Sequence, residues 1–298
     1  MITRASESMK VEGGATSDRE TQLILKVLSS KNKTGKRFRP FAGSVAYCAR
    51  QNWFFANKEG EGGYTNPSLT LYQGIGNGIE EKIVKGMAAH GTLLGTQVPL
   101  PNPPSHFKIN VGGFIDAIGI GSTGKVTAYE IKTTGALPSS PKANHLSQAM
   151  TYACLGGIDN VVIVYVGRQV QNFPDPTPLV KSFLIDVQGL MSEYMTRIVQ
   201  SCHSLTSPEA PMRPATYRKS FECQYCDFKP SCWDEDVPTL SPRASSYALA
   251  EAEKTAQELI ELRPNFYAAL LANCKTSCPE VNEENLVSLI NVANKGRV

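Results

Sequence analysis

Three side chains in the segment GFIDAIGIGSTGKVTAYEIKTT, residues 113–134, have the types and spacing of a metal-assisted hydrolytic site. Asp116 and Glu130 supply carboxylates, which Mg²⁺ and Mn²⁺ prefer as ligands, and Lys132 supplies a base two residues beyond the second acid. A divalent cation held by the acids would polarise a phosphodiester and acidify a bound water, which the lysine would orient or deprotonate. The pattern therefore indicates phosphodiester hydrolysis.

The same segment also has the glycines and the lysine of a phosphate-binding P-loop. Gly119, Gly124 and Lys125 follow the spacing G-x-x-x-x-G-K. A P-loop needs Ser or Thr after its lysine and a helix whose N-terminus faces the phosphates. Val126 takes the hydroxyl position, and the residues KVTAYEIKTT are rich in β-branched types that favour a strand. Nucleotide binding is therefore the weaker of the two interpretations.

The hydrolytic interpretation predicts a particular hairpin register. A three-residue loop that ends at Gly124, with Gly124 in a left-handed conformation, places Asp116 directly opposite Glu130. A two-residue loop would oppose Asp116 to Tyr129 and turn Glu130 to the other face of the sheet. Glu130 and Lys132 are two residues apart on one strand and share a face. Gly124 therefore favours the register in which the three ionisable side chains converge.

An exposed hairpin with a cross-strand Glu/Lys pair would have the same sequence pattern. The two interpretations differ in burial, because two carboxylates brought together on neighbouring strands repel each other and are costly to bury without a cation. The hairpin sequence alone leaves both interpretations open.

The elements around the hairpin alternate in a way that predicts an α/β protein. The sequence predicts helices over residues 18–30, 44–55, 78–90, 142–155 and 189–205 and strands over residues 93–100, 109–120, 125–134, 160–166 and 179–187. A core of helix, three strands, helix and strand follows, in which the first three strands need no helical crossover. A mostly helical tail from Ser245 to the end is expected to pack as a small appendage.

Composition predicts a globular intracellular protein. The chain has 298 residues, 41% of them hydrophobic, and a net charge of +3, which by itself does not indicate nucleic-acid binding. The N-terminus lacks the apolar core of a signal peptide, and no apolar run is long enough to span a bilayer. One short segment is rich in basic residues and is interpreted either as a solvated loop or as a phosphate-contacting run: Lys31, Lys33, Lys36, Arg37 and Arg39.

Cysteines cluster near the end of the predicted core. Cys223, Cys226 and Cys232 have the spacing C-x2-C-x5-C, and in a reducing compartment such a cluster indicates a metal or iron-sulfur site. A structural zinc site needs four ligands, so the fourth must come from elsewhere in the chain. His203 and Cys202 are nearby alternatives for it.

Several of these segments resemble motifs of the PD-(D/E)XK nuclease superfamily. GFID with Asp116 and EIK with Glu130 and Lys132 resemble motifs II and III. GNGIE stands at the position of motif I, where RecB-like members usually carry a histidine and this chain has Glu80. Glutamate is a competent ligand for hard metals, although an exposed helical acid beside Glu81 would give the same sequence.

Two further features extend the resemblance to RecB-like, CRISPR-associated exonucleases and their phage relatives. Gln148 and Tyr152 match the QxxxY motif of RecB-like nucleases and lie on one face of a predicted helix. Cys48 matches the isolated first cysteine of members that carry a 4Fe-4S cluster, so the resemblance implies Cys48, Cys223, Cys226 and Cys232 as cluster ligands. Zinc is the alternative occupant, because thiolates suit both metals.

The resemblance implies a restriction-endonuclease-like core and a metal-dependent DNA exonuclease acting on single-stranded ends. The implied ligands of Mg²⁺ or Mn²⁺ are Glu80, Asp116, Glu130 and the Ile131 carbonyl. Lys132 would position the attacking water, and Gln148 and Tyr152 would orient the lysine and the DNA backbone. Predicted nucleic-acid contacts are Lys36, Arg37, Arg39 and Tyr152. The alternative function is a nucleic-acid-binding subunit of a recombination or CRISPR adaptation complex with weak or no catalysis.

These assignments divide the chain into five segments. The prediction is a disordered N-terminus (1–17), an N-terminal helical region with Cys48 (18–72), the nuclease core (73–205), an iron-sulfur segment (206–240) and a helical tail (241–298). The predicted partners are DNA with free ends and proteins of recombination or CRISPR adaptation, without a membrane.

Overall fold

The computed structural model describes residues 39–57, 67–168, 179–213, 223, 226, 228–233 and 237–277. The predicted helix over residues 18–30 lies outside these residues. None of the described helices is long and apolar enough to cross a membrane.

Helices and strands follow one another along the described residues. The helices are α1 (Ala42–Val45), α2 (Ala49–Asn57), α3 (Pro67–Ala89), α4 (Ala143–Gly156), α5 (Val187–Ser204), α6 (Lys229–Cys232) and α7 (Pro242–Ser277). The strands are β1 (Leu93–Pro99), β2 (Phe114–Ile120), β3 (Val126–Thr134), β4 (Val161–Gly167) and β5 (Val180–Leu184).

The five strands form one mixed sheet in the order β1-β2-β3-β4-β5. β1, β2 and β3 are an antiparallel meander, β4 lies parallel to β3, and β5 lies antiparallel to β4. Helix α4 connects β3 to β4, because a parallel pair needs a crossover that a tight turn cannot provide. The predicted mixed α/β core of helix, three strands, helix and strand is confirmed, with β5 at its edge.

The second strand is shorter than the sequence predicts. The prediction covers residues 109–120, but β2 begins at Phe114. Gly112 instead forms an isolated bridge with Phe41, and Gly113 adopts a φ of 150°. A Cβ at Gly113 would lie 2.8 Å from the Cβ of Ala42. The two glycines therefore let the chain pass closely under α1 before the strand begins.

Two helices differ from their predicted bounds. The predicted helix over residues 44–55 is two helices, α1 and α2, and Cys48 stands just before the second, where its carbonyl accepts from Asn52 N–H at 3.2 Å. Helix α3 begins at Pro67, well before the predicted start at residue 78, and Pro is favoured in the first turn of a helix.

The C-terminal helix belongs to the main core and is not the small appendage that the sequence suggests. Leu259, Leu270 and Leu271 are each at most 1% exposed and pack in the same apolar cluster as Ile115 and Met150. Asn273 Nδ2 also donates to Pro99 O of β1 at 2.9 Å. Burial of this apolar face fixes α7 against both the sheet and α4.

The packing of α7 predicts a large effect of one glycine substitution. Gly157, which ends α4 with a φ of 66°, has no room for a Cβ, which would lie 2.2 Å from Arg263 O and 2.7 Å from Tyr267 N. We expect Gly157→Ala to lower the free energy of unfolding by about 3 kcal/mol through backbone strain and the clash with α7. Gly124→Ala is the matched control, because Gly124 has a φ of 74° but open space around its Cβ position, and should cost only about 1 kcal/mol. Urea unfolding of the two variants measures the difference, and equal losses would contradict the described packing.

A second, smaller apolar cluster surrounds the cysteine segment. Phe54 of α2 stacks on Phe228 at 5.4 Å and meets Trp53 edge to face at 5.2 Å. Trp53 Nε1 donates to Ser207 O at 2.8 Å. These aromatic side chains fasten α2 to the segment after α5, so Cys48 lies close to the later cysteines although it is far from them in sequence.

Candidate active site

The turn between β2 and β3 has the predicted register. Gly121 N–H donates to Lys125 O at 2.8 Å, Gly124 N–H donates to Gly121 O at 2.9 Å, and Gly124 has a φ of 74°. The ladder then runs from Ile120↔Val126 to Ala117↔Tyr129. One step further along this register, Asp116 is level with Glu130, as the three-residue loop predicts. No helix begins at the turn, so the P-loop interpretation is wrong.

The two strands part at the acids. The regular backbone pairing ends at Ala117 and Tyr129. Beyond it, the Ile131 N–H donates to the Asp116 side chain, at Oδ2, at 2.8 Å. On its other side, Thr96 Oγ1 of β1 donates to Asp116 O at 3.2 Å. Asp116 is therefore held from both neighbouring strands, and its side chain points toward β3.

The two opposing carboxyl groups are buried, unlike those of an exposed hairpin. Asp116 is 9% exposed and Glu130 is 0% exposed. Burial and the neighbouring Glu130 charge raise the pKa of Asp116 to about 7. Burial also raises the pKa of Glu130, although Lys132 and the Tyr152 hydroxyl oppose that shift. Neither carboxylate has enough positive charge around it to compensate for its burial, and a bound cation would supply that charge.

Lys132 lies between the acids and solvent. Its Nζ forms an ion pair with Glu130 Oε1 and the side chain is 26% exposed. Burial opposes the charge on this ammonium, but Glu130 and Asp116 together outweigh that effect and raise the pKa of Lys132 above its usual range. Lys132 is therefore a charged donor at neutral pH, directly beside both carboxylates.

Glu80 of α3 approaches the same site from the other side of β2. Its Oε1 accepts from Gln97 Nε2 at 2.6 Å. Partial burial and the Asp116 charge raise the pKa of Glu80, while Gln97 and Lys132 lower it. The carboxylate is therefore close enough to share the electrostatic field of Asp116 and Lys132. Gln97 itself has a φ of 46°, an unusual strain for a residue within a strand.

Gln148 and Tyr152 of α4 support the acids from below. Gln148 Nε2 donates to the Tyr152 hydroxyl at 2.6 Å, and that hydroxyl donates to Phe114 O at 3.0 Å, at the start of the strand that carries Asp116. Tyr152 is 0% exposed and lies beside Glu130, whose pKa its hydroxyl lowers. Because it has no exposed surface, the predicted direct contact of Tyr152 with DNA is corrected to a supporting position under the acids.

The oxygen donors near the hairpin are of the chemical type that a hard divalent cation prefers, but they do not surround one point in this structure. Carboxylates at Glu80, Asp116 and Glu130 are oxygen ligands of the kind Mg²⁺ and Mn²⁺ prefer. Among the described residues, however, no three His, Cys, Asp or Glu side chains are arranged to hold one ion. The Ile131 main chain lies at the site, and its amide is engaged by Asp116. A cation held by these carboxylates would add to the positive charge that Lys132 supplies at Glu130.

The four predicted cysteines line one cavity of about 40 Å³ between α2 and α6. The residues that line it are Tyr47, Cys48, Gln51, Phe54, Cys223, Cys226, Phe228, Lys229, Cys232 and Trp233. Gln51 Nε2 donates to Cys226 Sγ at 3.7 Å. Burial raises the pKa of Cys48 to about 11, with further contributions from Cys232 and Cys226. The Cys48 thiol is therefore protonated at neutral pH, and a metal bound there would displace its proton.

The rival fourth ligands do not line this cavity. His203 Nε2 lies 3.0 Å from Phe107 O, and Cys202 is buried with its pKa raised to about 12 by desolvation. Cys154 is buried in the main core, with its Sγ 3.6 Å from Met191 Sδ. Among the cysteines that the structure describes, Cys48 is thus the one from outside the C-x2-C-x5-C segment that reaches the cavity.

The predicted basic run is only partly described. Lys36 and Arg37 lie outside the described residues. Arg39 Nη2 donates to Val111 O at 2.9 Å and its Nε lies against Gly112, so Arg39 holds the bend before β2. Its contact with nucleic acid stays a prediction.

Sequence reasoning missed two residues beside the site. Gln97 contacts Glu80, and Tyr165 is the register partner of Lys132 on the neighbouring parallel strand β4. Neither residue belongs to a recognisable motif, so the sequence does not mark either of them as part of the site. A polar amide at a left-handed position within β1 is visible only in three dimensions.

Comparison with known proteins shows the family. The model of the PD-(D/E)XK nuclease superfamily matches residues 58–233, and the chain belongs to this superfamily. A search of curated proteins gives no match. The crystal structure of SSO0001 is similar over 74% of this chain and 96% of that chain, with 18% identity and a TM-score of 0.43. A likeness of that size supports no statement about function.

Proposed function

We propose that this chain is a divalent-metal-dependent deoxyribonuclease that removes nucleotides from single-stranded DNA ends. The observation that carries the proposal is the convergence of two buried carboxylates, Asp116 and Glu130, with Lys132 where β2 and β3 part. Membership of the nuclease superfamily supports hydrolysis of a phosphodiester. The single-strand and exonuclease preference rests on the resemblance of GNGIE, QxxxY and the cysteines to RecB-like exonucleases.

The metal ligands in this proposal are Glu80, Asp116 and Glu130, with the Ile131 carbonyl as a further oxygen. Mg²⁺ or Mn²⁺, when bound, would polarise the phosphodiester and acidify a bound water. The chain prepares for this by burying Asp116 and Glu130 beside each other, so that their raised pKa values reflect charge that a cation would relieve. Asp116 is oriented for the role by the Ile131 amide.

Lys132 is the proposed catalytic residue for the attacking water. Its ammonium is held at Glu130 and stays charged at neutral pH, so it can orient the water and stabilise negative charge that develops on the phosphate. Gln148 and Tyr152 are positioning residues, because their hydrogen bonds fix the start of β2 and the surroundings of Glu130.

The role of Glu80 is tested by comparing it with its neighbour. We expect Glu80→Gln to lower the cleavage rate at limiting Mg²⁺ by about 10–100-fold, because the amide removes a negative ligand while keeping the acceptor for Gln97. Glu81→Gln is the matched control, since the Glu81 side chain is 63% exposed and pairs with Lys85. A metal titration of the cleavage rate separates the two variants. Equal behaviour of Glu80→Gln and Glu81→Gln would remove Glu80 from the ligand set.

A structural 4Fe-4S cluster is the proposed occupant of the cysteine cavity. The support is that Cys48, Cys223, Cys226 and Cys232 line one cavity next to the Phe54 and Phe228 stack. A cluster there would join α2 to the segment after α5 and stabilise their packing, with no part in the hydrolytic steps.

The cluster predicts a visible property of the purified protein. We expect anaerobically purified wild type to be brown and to contain iron and sulfide, and Cys48→Ser to lose most of both. Cys154→Ser is the control, because Cys154 is buried in the core and should leave the colour unchanged. Metal analysis and the visible spectrum decide the outcome. A colourless protein that holds zinc in the wild type would assign the cavity to zinc instead.

End-labelled linear strands and closed circular DNA test whether the protein cleaves at strand ends or at internal phosphodiester bonds. We expect single-stranded linear DNA to be degraded from its ends with Mg²⁺ or Mn²⁺, and circular single-stranded DNA to persist. Cutting of the circle would replace the exonuclease assignment with an endonuclease one. Binding of both substrates without cleavage of either would favour the alternative, a nucleic-acid-binding subunit of a recombination or adaptation complex.

A further inference from the structure

A histidine outside the predicted catalytic set lies beside Lys132. His145 stands on α4 three residues before Gln148 and seven before Tyr152, so the three side chains share one face of the helix. Its Nδ1 lies 2.9 Å from the hydroxyl oxygen of Tyr165. Tyr165 is the register partner of Lys132 on β4, and paired residues of neighbouring strands project to the same face. His145 therefore extends the site along α4, on the side away from Glu80.

The hydrogen bonds around Tyr165 select one form of the imidazole. Lys142 N–H donates to the Tyr165 hydroxyl at 3.0 Å, so this hydroxyl already accepts a hydrogen bond. Nδ1 of His145 is the other partner of this hydroxyl, and donation of the phenol proton to Nδ1 uses both the donor and an acceptor of the hydroxyl. In a neutral imidazole one nitrogen accepts and the other carries the proton. With the phenol proton in this orientation, Nδ1 is the acceptor and Nε2 carries the proton as a hydrogen-bond donor.

The surroundings also keep this imidazole neutral. Burial, followed by the positive charges of Lys132 and Lys142, lowers the pKa of His145 to about 4. The ring is half-buried and tilted against Tyr165, with ring centroids 5.5 Å apart. A neutral, fixed donor in a region of positive potential suits an anionic acceptor such as a phosphate oxygen.

We propose that Nε2–H of His145 donates a hydrogen bond to a phosphate oxygen of the bound DNA strand beside Lys132, and that Tyr165 is the positioning residue that fixes its tautomer. This inference rests on the proposed function, because it assumes that the strand passes over Lys132. It assigns a substrate contact to α4, the helix whose Gln148 and Tyr152 only support the acids.

The contact is tested by binding, which does not require cleavage. We expect His145→Ala to weaken binding of a single-stranded oligonucleotide, measured in Ca²⁺, by about tenfold, the usual effect of losing a hydrogen bond to a charged group. His145→Gln keeps a donor amide and should recover part of the loss. His90→Ala is the matched control, since His90 is exposed just after the far end of α3. An unchanged dissociation constant in His145→Ala, with circular dichroism showing a folded protein, would overturn the proposal.

The tautomer is tested separately by ¹⁵N NMR of the histidines. We expect Nε2–H in the wild type and a mixture of tautomers in Tyr165→Phe, which keeps the ring but removes the hydroxyl. A protonated Nδ1 in the wild type would overturn the assigned role of Tyr165. If wild type binds the oligonucleotide but cleaves none with any divalent metal, the proposed function fails, while the tenfold loss in His145→Ala still supports this contact. If wild type binds no oligonucleotide, both fail.

Discussion

Lys132→Met should lower the rate of DNA cleavage by about 10²–10⁴-fold and destabilise the metal-free protein by up to about 3 kcal/mol. The loss of rate follows from removing the group that orients the attacking water. The loss of stability follows because Glu130 is 0% exposed and Lys132 is its ion-pair partner. Without Lys132, the buried Glu130 carboxylate must either keep its charge without a partner or take up a proton, and both lower the stability.

The double variant Lys132→Met/Glu130→Gln separates these two effects. Neutralising Glu130 removes the stranded charge, so we expect the double variant to regain most of the lost free energy of unfolding and none of the activity. Lys125→Met is the control, because Lys125 lies exposed in the turn and belongs to the rejected P-loop pattern. Urea unfolding and initial cleavage rates measure both effects. An inactive Lys125→Met protein, or a double variant less stable than either single one, would contradict this account of the site.

Asp116→Asn should abolish metal-dependent cleavage and at the same time stabilise the metal-free protein. The amide cannot supply the negative charge that a divalent ion requires, but its oxygen can still accept from the Ile131 amide. Burial and Glu130 raise the pKa of Asp116 to about 7 in the folded protein, against about 3.9 in an unfolded chain. The folded state therefore holds an extra proton between these values, and its stability falls as pH rises through that window.

Replacing the carboxyl group removes this dependence. At pH 8 we expect Asp116→Asn to be more stable than metal-free wild type by about 2–4 kcal/mol, and the two to converge near pH 4. Asp159→Asn is the control, because Asp159 is a 58% exposed partner of Arg263 whose loss should matter little. Thermal unfolding between pH 4 and pH 8 measures the difference. An Asp116→Asn protein that is less stable than wild type at pH 8 would show that the ionised carboxylate does not destabilise the folded protein.

The catalytic hairpin could be predicted from the sequence because its geometry is local. Gly124 is the residue that a three-residue loop needs in a left-handed conformation, and the loop length alone sets which side chains face each other. Asp116, Glu130 and Lys132 then follow from the alternation of side chains along a strand. The end of α4 was predictable for the same reason, since Gly157 stops the helix with a φ of 66°.

The remaining parts of the site depend on contacts between distant segments. Glu80 contacts Gln97 because of the way α3 packs on the sheet, and His145 contacts Tyr165 because of the way α4 packs on it. No local sequence pattern encodes this packing. Helix α7 belongs to the core because it covers an apolar face of β1 and α4 that would otherwise be exposed to solvent. Tyr152 was expected at the DNA backbone, but its position under Phe114 follows from the depth of α4 below the sheet.

The cysteine cavity lies between these cases. The spacing of Cys223, Cys226 and Cys232 indicates that they bind one metal ion or cluster. The position of Cys48 near them depends on the packing of α2 against Phe228. The break between α1 and α2 just before Cys48 also escaped prediction, because the residues SVAYCARQNWFF read as one continuous helix. Aromatic packing, and not helix propensity, decides where that cysteine lies.

The central claim is that Asp116, Glu130 and Lys132 form a metal-dependent nuclease site. It is tested most directly by incubating labelled single-stranded DNA with wild type and with Asp116→Asn, each with Mg²⁺ or Mn²⁺ and each with a chelator. The account predicts degradation by wild type with metal, none with the chelator, and none by Asp116→Asn under either condition. Degradation at the wild-type rate by Asp116→Asn, or by wild type in the chelator, would contradict it.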